Sequence, residues 1–141
     1  MSSVCEEHIY SGIFNAYSKT LFNYLFYKSG DKNLAEDLTQ EAFLKLWQNC
    51  KSITLATAKG YVFKTAHNKL LNVFAHQKVR LKFQNQSKAD MKAESPEFIL
   101  EHKEFQIYLE KAISDLPEKQ RVVFLLSRID KKTYKEIAEI L

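Results

Sequence analysis

Apolar residues recur at steps of three and four along most of this chain, and the residues that most often break helices are scarce. Its 141 residues contain only three glycines and two prolines. Steps of three and four place side chains on one face of an α-helix. The sequence therefore predicts an all-α protein with short connections, and its 45% content of apolar residues is sufficient to bury a core.

Capping residues mark the ends of several predicted helices. Gly30 can adopt the left-handed conformation that ends a helix, and Asp31 can cap the next one. Thr133 and Glu136 have the spacing of a capping box. Helices are predicted over 4–29, 32–49, 58–82, a segment from Ser95 to about 115, a segment opened by Pro117, and a last segment after Thr133.

Aromatic residues are concentrated in the first predicted helix, where seven precede residue 28. They could form a platform for stacking nucleic-acid bases, but their helical spacing favours a buried core. The apolar stripes predicted for the later helices include Val73, Phe105, Leu109, Ile129 and Tyr134.

Positive charge is segregated along the chain. Between Lys51 and Ala89 there are eight lysines and arginines and no acidic residue, whereas the whole chain carries a net charge of +4. The rest of the chain is therefore net acidic. Such a basic block is typical of a surface that binds phosphates, although it can also be a solvated helix face.

Within this block, the third predicted helix carries polar and basic residues opposite its apolar stripe. Lysines there can bind phosphates and an asparagine can contact base edges. The candidate DNA-binding residues of the block are Lys51, Lys59, Lys64, His67, Asn68, Lys78 and Lys82.

The second predicted helix has an acidic, polar side that contains one leucine. A single exposed leucine usually has no function. An apolar side chain ringed by polar ones can also anchor a protein interface. The candidate partner-binding residues on this side are Asp37, Gln40, Glu41, Leu44 and Gln48.

Cys5 and Cys50 are the only cysteines, and they show no paired spacing. With no signal peptide and no long apolar run, the sequence predicts a cytoplasmic protein without membrane insertion. Cys5 and His8 lack a second ligand pair, so no metal site is predicted. No phosphate loop or nucleophile–base motif is present, so neither a cofactor nor an enzymatic activity is expected.

Polar residues without periodicity separate the two halves of the chain. The stretch 83–94 is the predicted linker between a domain at 1–82 and a second at 95–141. The chain stops within the last predicted helix, whose apolar stripe has no following element to cover it. A helix-turn-helix unit needs a second helix for the major groove, so the C-terminal domain is expected to be incomplete and the chain truncated.

Three stretches carry a resemblance to a known family. The run Ala35–Trp47, AEDLTQEAFLKLW, is very similar to a signature of extracytoplasmic-function (ECF) sigma factors, the small specificity subunits of bacterial RNA polymerase. Gly60–Asn68 resembles the next helix of that family, with Lys64 where an arginine is usual. Leu116–Phe124 and the segment that starts at Thr133 resemble the opening of its C-terminal domain. The residue usage is similar to that of members from Bacteroides-like bacteria.

The resemblance implies a region-two domain at 1–82 and a partial region-four domain at 95–141 without its recognition helix. It also implies that the acidic side of the second helix binds the clamp coiled coil in the largest subunit of core RNA polymerase. The connector 51–57 and the third helix would bind the minus-ten element of promoter DNA and help to melt it. An anti-sigma factor is a further partner that the family implies.

The residues are also compatible with a function outside this family. The protein would then be a helical interaction module that binds a partner through the Leu44 side, while its basic helix is merely solvated. Salt dependence separates the two readings, because binding to a single strand weakens with a log–log slope of about −0.7 per neutralised phosphate.

Overall fold

The computed structural model describes residues 3–73 and 96–141, without the side chains of 96–100. In these ranges it contains no strand, six α-helices and one 3₁₀ turn, Cys50–Ser52. The predicted all-α class is confirmed. The helices are α1 (Glu7–Ser29), α2 (Lys32–Gln48), α3 (Leu55–Val73), α4 (Pro96–Ser114), α5 (Glu118–Arg128) and α6 (Tyr134–Ile140). The predicted linker at 83–94 lies outside the described residues.

The turn between α1 and α2 has the predicted capping chemistry. Gly30 has a φ of 74° and donates its backbone N–H to the carbonyl of Phe26, at 2.7 Å. The side chain of Asp31 accepts a hydrogen bond from the N–H of Leu34, at 3.1 Å. A turn this short makes α1 and α2 antiparallel neighbours. The start of α1 therefore lies beside the end of α2, where the Tyr10 hydroxyl donates to the carbonyl of Phe43 at 2.7 Å.

The first three helices share a core built from the predicted stripes. Buried side chains of α2 and α3 include Leu38, Leu46, Val62 and Leu70. The aromatics of α1 belong largely to this core, as predicted, and Phe14 packs edge-on against Phe43 although 41% of it stays exposed. A long aromatic stripe at helical spacing is therefore used for packing.

A disulfide links Cys5 to Cys50, with a Cα–Cα distance of 5.2 Å. The spacing of the two cysteines did not indicate this bond. Their 45-residue separation resembles no local motif, but the antiparallel α1–α2 hairpin brings the two ends together. Pairing in this chain follows from tertiary structure and not from spacing.

Arg121 attaches the C-terminal helices to α1. Its side chain is only 3% exposed, and its guanidinium donates to the carbonyls of Tyr27 at 2.8 Å, Lys28 at 3.0 Å and Leu116 at 3.1 Å. The last carbonyls of a helix lack partners within the helix and attract cations. Arg121 therefore serves as a C-terminal cap of α1 that is supplied by α5.

A second contact between the same helices involves Asp130, just after α5. Its carboxylate accepts hydrogen bonds from the Tyr27 hydroxyl and from the side-chain amide of Asn23, the latter at 3.1–3.2 Å. Burial, followed by the hydrogen bond and charge of Asp130, raises the pKa of Tyr27. Tyr27 therefore stays protonated and keeps donating to Asp130.

Several predicted core residues of the later helices are exposed, so these predictions are wrong. Among the described side chains of α4, at 101–114, only Ile113 near the C-terminal end is buried with the core. Ile129 lies just past the last residue of α5, as its C-cap, and is exposed there. The incorrectly predicted side chains, with exposed fractions of 43–62%, are Val73, Phe105, Leu109 and Ile129. Tyr134 on the last helix is exposed, as expected for a stripe with no following element to cover it.

The predicted capping box at the start of α6 is confirmed. The Thr133 hydroxyl accepts from the N–H of Glu136 at 3.2 Å, and the Glu136 carboxylate accepts from the N–H of Thr133 at 3.1 Å. The backbone hydrogen bond from Thr133 is the main cause that lowers the pKa of Glu136. The box sets the start of α6, which buries Ile137 against α5 and the core.

Candidate functional site

The structure places one cluster of predicted residues on the outer side of α2, here called the α2 polar face. All five members are exposed, and Leu44 is exposed over 54% of its surface. The members are Asp37, Gln40, Glu41, Leu44 and Gln48.

The α2 polar face belongs to a well-anchored helix. On the opposite side of α2, Ala35, Leu38, Ala42 and Leu46 are all at most 4% exposed. Because that side is packed into the core, the orientation of the polar face is set before any partner arrives. A pre-ordered surface loses less conformational entropy on binding than a mobile one.

One residue of the α2 polar face already has a partner within the chain. The Glu41 carboxylate lies 3.1 Å from the ammonium group of Lys69 on α3. Both side chains are partly exposed, so the pair contributes little to stability and can be exchanged for another partner.

A groove opens where α2 ends, here called the connector groove. Its lining includes Asn49, Ser52, Thr57, Tyr61 and Lys64. The side-chain amide of Asn49 donates to the Tyr61 hydroxyl at 3.1 Å, and the Ser52 hydroxyl donates to the Asn49 carbonyl at 3.1 Å. The groove therefore brings an aromatic ring, an amide, hydroxyls and a lysine together on one concave surface.

The first turn of α3 is built by two threonines, and it begins three residues earlier than predicted. The Thr57 hydroxyl accepts from the N–H of Thr54 at 3.2 Å, and the two hydroxyls lie 2.9 Å apart. Because Thr54 just precedes Leu55, these bonds satisfy donors at the helix start. They also position the connector beside the groove.

The predicted DNA-binding residues fall into different environments. Lys51, Lys64 and Asn68 are exposed, and Lys64 and Asn68 lie one turn apart on α3. Lys59 is half-buried, with its ammonium group 3.7 Å from the Glu139 carboxylate and 5.4 Å from the centre of the Tyr17 ring. Lys78 and Lys82 lie outside the described residues.

His67 faces α1 and not the surrounding solvent. Its Nδ1 accepts a hydrogen bond from the Lys28 ammonium group at 2.8 Å and lies 3.3 Å from the Tyr24 hydroxyl. Lysine can only donate, so His67 is neutral with its proton on Nε2. Burial, and then the Lys28 charge, lower the pKa of His67, while Glu118 opposes them. His67 therefore joins helices together, which differs from the exposed position expected from the sequence.

The C-terminal helices lie beside the basic side of α3. Lys64 and His67 share a groove with Glu118, Lys119 and Glu139 from α5 and α6. Lys28 bridges to Glu118 at 3.1 Å at the same place. Acidic residues of the second half of the chain therefore stand close to the candidate DNA-binding lysines of the first half.

Sequence reasoning missed Arg121 and the cysteine pair. One signal for Arg121 was available, since it lies one turn before Leu125 and next to Val122, on the buried side of α5. A charged residue inside an apolar stripe indicates a buried, hydrogen-bonded role. No comparable local signal exists for Cys5 and Cys50.

Two family models match the chain, in the order expected from its motifs. Residues 13–80 match Sigma-70 region 2, and residues 106–141 match Sigma-70, region 4. Together they cover most of the chain, including α2, the connector and α3. The chain belongs to the ECF sigma factors. The α2 polar face and the connector groove both lie in its region 2 match, and α5 and α6 lie in its region 4 match.

Two characterised relatives share this assignment. The chain is 26% identical over 132 residues to the ECF RNA polymerase sigma factor SigM of Bacillus subtilis, covering 92% of this chain and 79% of SigM. It is 27% identical over 116 residues to SigE of Mycolicibacterium smegmatis, covering 80% of this chain and 45% of SigE. No solved structure matches the chain. Both relatives are ECF RNA polymerase sigma factors, and neither indicates an origin in Bacteroides-like bacteria.

No group of His, Cys, Asp and Glu side chains among residues 3–73 and 96–141 could hold a metal ion. Within that part of the chain, no helix is both long and apolar enough to cross a membrane.

Proposed function

We propose that this sigma factor binds core RNA polymerase through the α2 polar face and binds the melted minus-ten strand of promoter DNA in the connector groove. One observation carries the proposal: the groove begins at Asn49, directly after Gln48, the last residue of the polar face. The polar face and the start of the groove therefore lie on consecutive residues at the end of α2, so the distance and orientation between the two surfaces stay the same. Polymerase binding would present the groove to DNA at a defined position.

The α2 polar face has the composition of a small protein interface. Leu44 supplies an apolar anchor, and Asp37, Gln40, Glu41 and Gln48 supply a polar rim. Charged groups at such a rim steer the partner and set its orientation. An acidic rim suits a basic partner surface, which we propose is the clamp coiled coil of the largest polymerase subunit.

The connector groove offers what one unstacked base needs. Tyr61 provides a ring, Asn49 and Ser52 provide donors and acceptors, and Lys64 provides a cation for a neighbouring phosphate. Extruding a base costs a few kcal/mol, and a fitted pocket can offset that cost. By holding one strand, the groove would favour the melted state of the minus-ten element.

Lys51, Lys59, Lys64 and Asn68 would continue the contact along the strand backbone. His67 is not included, because its ring nitrogen is engaged by Lys28. We further propose a region-two domain at 1–82, a linker at 83–94 and a region-four domain at 95–141, acting in the cytoplasm. An anti-sigma factor that wedges between the two domains would control access to DNA.

Gel filtration with purified core RNA polymerase tests the proposal. The wild-type chain should co-elute, and Asp37→Arg should lose co-elution, because a reversed charge on the rim repels a basic partner. Glu36→Arg is the matched control. It makes the same charge change at the neighbouring exposed position of α2, outside the polar face, and should still co-elute.

Equal binding by wild type and Asp37→Arg would contradict the α2 assignment. Equal loss in Glu36→Arg would mean that overall charge, and not this face, controls the interaction. Circular dichroism on each variant verifies that the helices remain folded.

A further inference from the structure

The Cys5–Cys50 disulfide joins the segment before α1 to the first residue of the 3₁₀ turn Cys50–Ser52. That turn follows α2 directly and supplies Ser52 to the connector groove. The disulfide therefore ties the segment before α1 to a turn that lines the connector groove. On the other side, Val4 is 1% exposed, so the anchored segment is itself packed into the core.

Both cysteines are half-buried, so neither residue is fully enclosed in the core. Their Cα–Cα distance of 5.2 Å lies within the range of disulfide-bonded pairs. We expect the α1–α2 hairpin to keep this distance in the reduced protein, because the Tyr10–Phe43 hydrogen bond and the Tyr10–Trp47 ring contact lie at the same end. The two thiols would therefore remain close together in the reduced protein.

We propose that Cys5 and Cys50 form a reversible thiol–disulfide site whose oxidant is a low-molecular-weight disulfide. One thiolate attacks the small disulfide, forming a mixed disulfide and releasing one small thiolate. The second cysteine thiolate then attacks the protein sulfur of that mixed bond and releases the second small thiolate. The two protein thiols lose two electrons and two protons, and the oxidant becomes two thiols after protonation.

The site also controls the connector groove, and this part rests on the proposed function. In the oxidised protein, Cys50 is tied to the packed segment, which restrains the turn where the N–H of Ser52 donates to the carbonyl of Asn49 at 3.0 Å. Reduction removes the tether and leaves the turn with its hydrogen bonds alone. Since a pre-ordered site binds more tightly, the oxidised protein should bind a single strand roughly three- to tenfold more tightly than the reduced one.

The experiment uses the full chain, bis(2-hydroxyethyl) disulfide as oxidant and 2-mercaptoethanol as reductant. Thiols are counted by alkylation and intact mass, which should show two alkylated cysteines in the reduced protein and none in the oxidised protein. Binding of both forms to a fluorescent minus-ten oligonucleotide is measured by anisotropy. Cys5→Ser and Cys50→Ser should abolish the difference between oxidising and reducing conditions.

Two alkylated cysteines after oxidation would overturn the thiol–disulfide site. Equal affinity of the two forms, with the disulfide confirmed by mass, would overturn the control of the groove. Hydrogen exchange at Ser52 and Ile53 provides a second readout that needs no DNA, and it should be slower in the oxidised form. If neither form binds the oligonucleotide, the proposed DNA contact fails, whereas thiol counts and exchange rates still decide for or against the redox site.

Discussion

The α2 polar face and the basic side of α3 belong to the same three-helix unit but differ in their surroundings. On α2, all five candidate residues are exposed, and the ion pair made by Glu41 goes to the adjacent helix α3. On α3, Lys59 bridges to Glu139 of α6, and Lys64 shares a groove with residues of α5 and α6. One surface depends only on the first half of the chain, whereas the other also depends on the position of the second half.

This difference separates two kinds of control. A partner can reach the α2 polar face without any change in the rest of the molecule. A strand that approaches Lys59 or Lys64 meets the carboxylates of Glu118 and Glu139, which oppose a polyanion. We therefore expect polymerase binding to be insensitive, and DNA binding sensitive, to the contact between α1 and α5.

Arg121→Leu should have the largest effect, because it breaks that contact directly. It removes three hydrogen bonds and leaves the carbonyls of Tyr27 and Lys28 without their donor. We expect a loss of about 3 kcal/mol in the free energy of unfolding, measured by thermal unfolding. Arg128→Leu, an exposed arginine of the same helix, should change stability little. Similar melting temperatures for the two variants would contradict the capping role of Arg121. Loss of polymerase co-elution in Arg121→Leu would contradict the expectation that polymerase binding does not depend on the contact between α1 and α5.

Replacing Lys64 and Asn68 by alanine should weaken binding of a minus-ten single strand by roughly thirtyfold, about 2 kcal/mol. The salt slope should fall by about 0.7 if one phosphate contact is lost. Anisotropy titrations at several salt concentrations measure both effects, and polymerase binding should not change. The matched control is alanine at Asn15 and Lys19, an exposed asparagine and lysine one turn apart on α1. Equal weakening in both double variants would indicate nonspecific charge effects.

Asp130→Asn should weaken the same contact between α1 and the C-terminal helices more gently. The amide keeps the shape of the carboxylate, but it has one acceptor oxygen instead of two and carries no charge. Its hydrogen bonds with Tyr27 and Asn23 should therefore be weaker. We expect a loss of about 1 kcal/mol in unfolding free energy, with DNA binding unchanged or stronger. Asp115→Asn, at an exposed position before α5, is the control. Weaker DNA binding in Asp130→Asn would contradict the idea that the C-terminal helices restrict access to α3.

The smallest predicted effect concerns pH and His67. Its pKa in the folded protein lies below the ordinary value of 6.5, so the unfolded chain takes up a proton first as pH falls. The stability contributed by neutral His67 is complete above 6.5 and is lost as pH falls through that value towards the folded pKa. Thermal unfolding between about pH 7.5 and pH 5 should therefore show a smaller acid-induced decrease for His67→Gln than for wild type. His8→Gln, at an exposed position, should behave as wild type does.

The helices of the first half of the chain were predictable because their signals are local. Gly30 and Asp31 form the predicted turn, and Leu38, Ala42 and Leu46 are buried where helical periodicity places them. The same periodicity put the candidate residues of α2 on the exposed side. Periodicity was less informative for α4. It correctly groups Phe105 and Leu109 on one side of the helix, but it cannot show whether another helix packs against that side.

The sequence by itself determined the helices, their caps, the order of the two sigma regions and the segregation of acidic and basic surfaces. These features depend on residues within a few positions of one another, which the chain order specifies directly. Only the tertiary structure decided the Cys5–Cys50 bond, the capping of α1 by Arg121 and the contact of His67 with Lys28. Each of these joins residues far apart in the chain, so it exists only after the helices have packed.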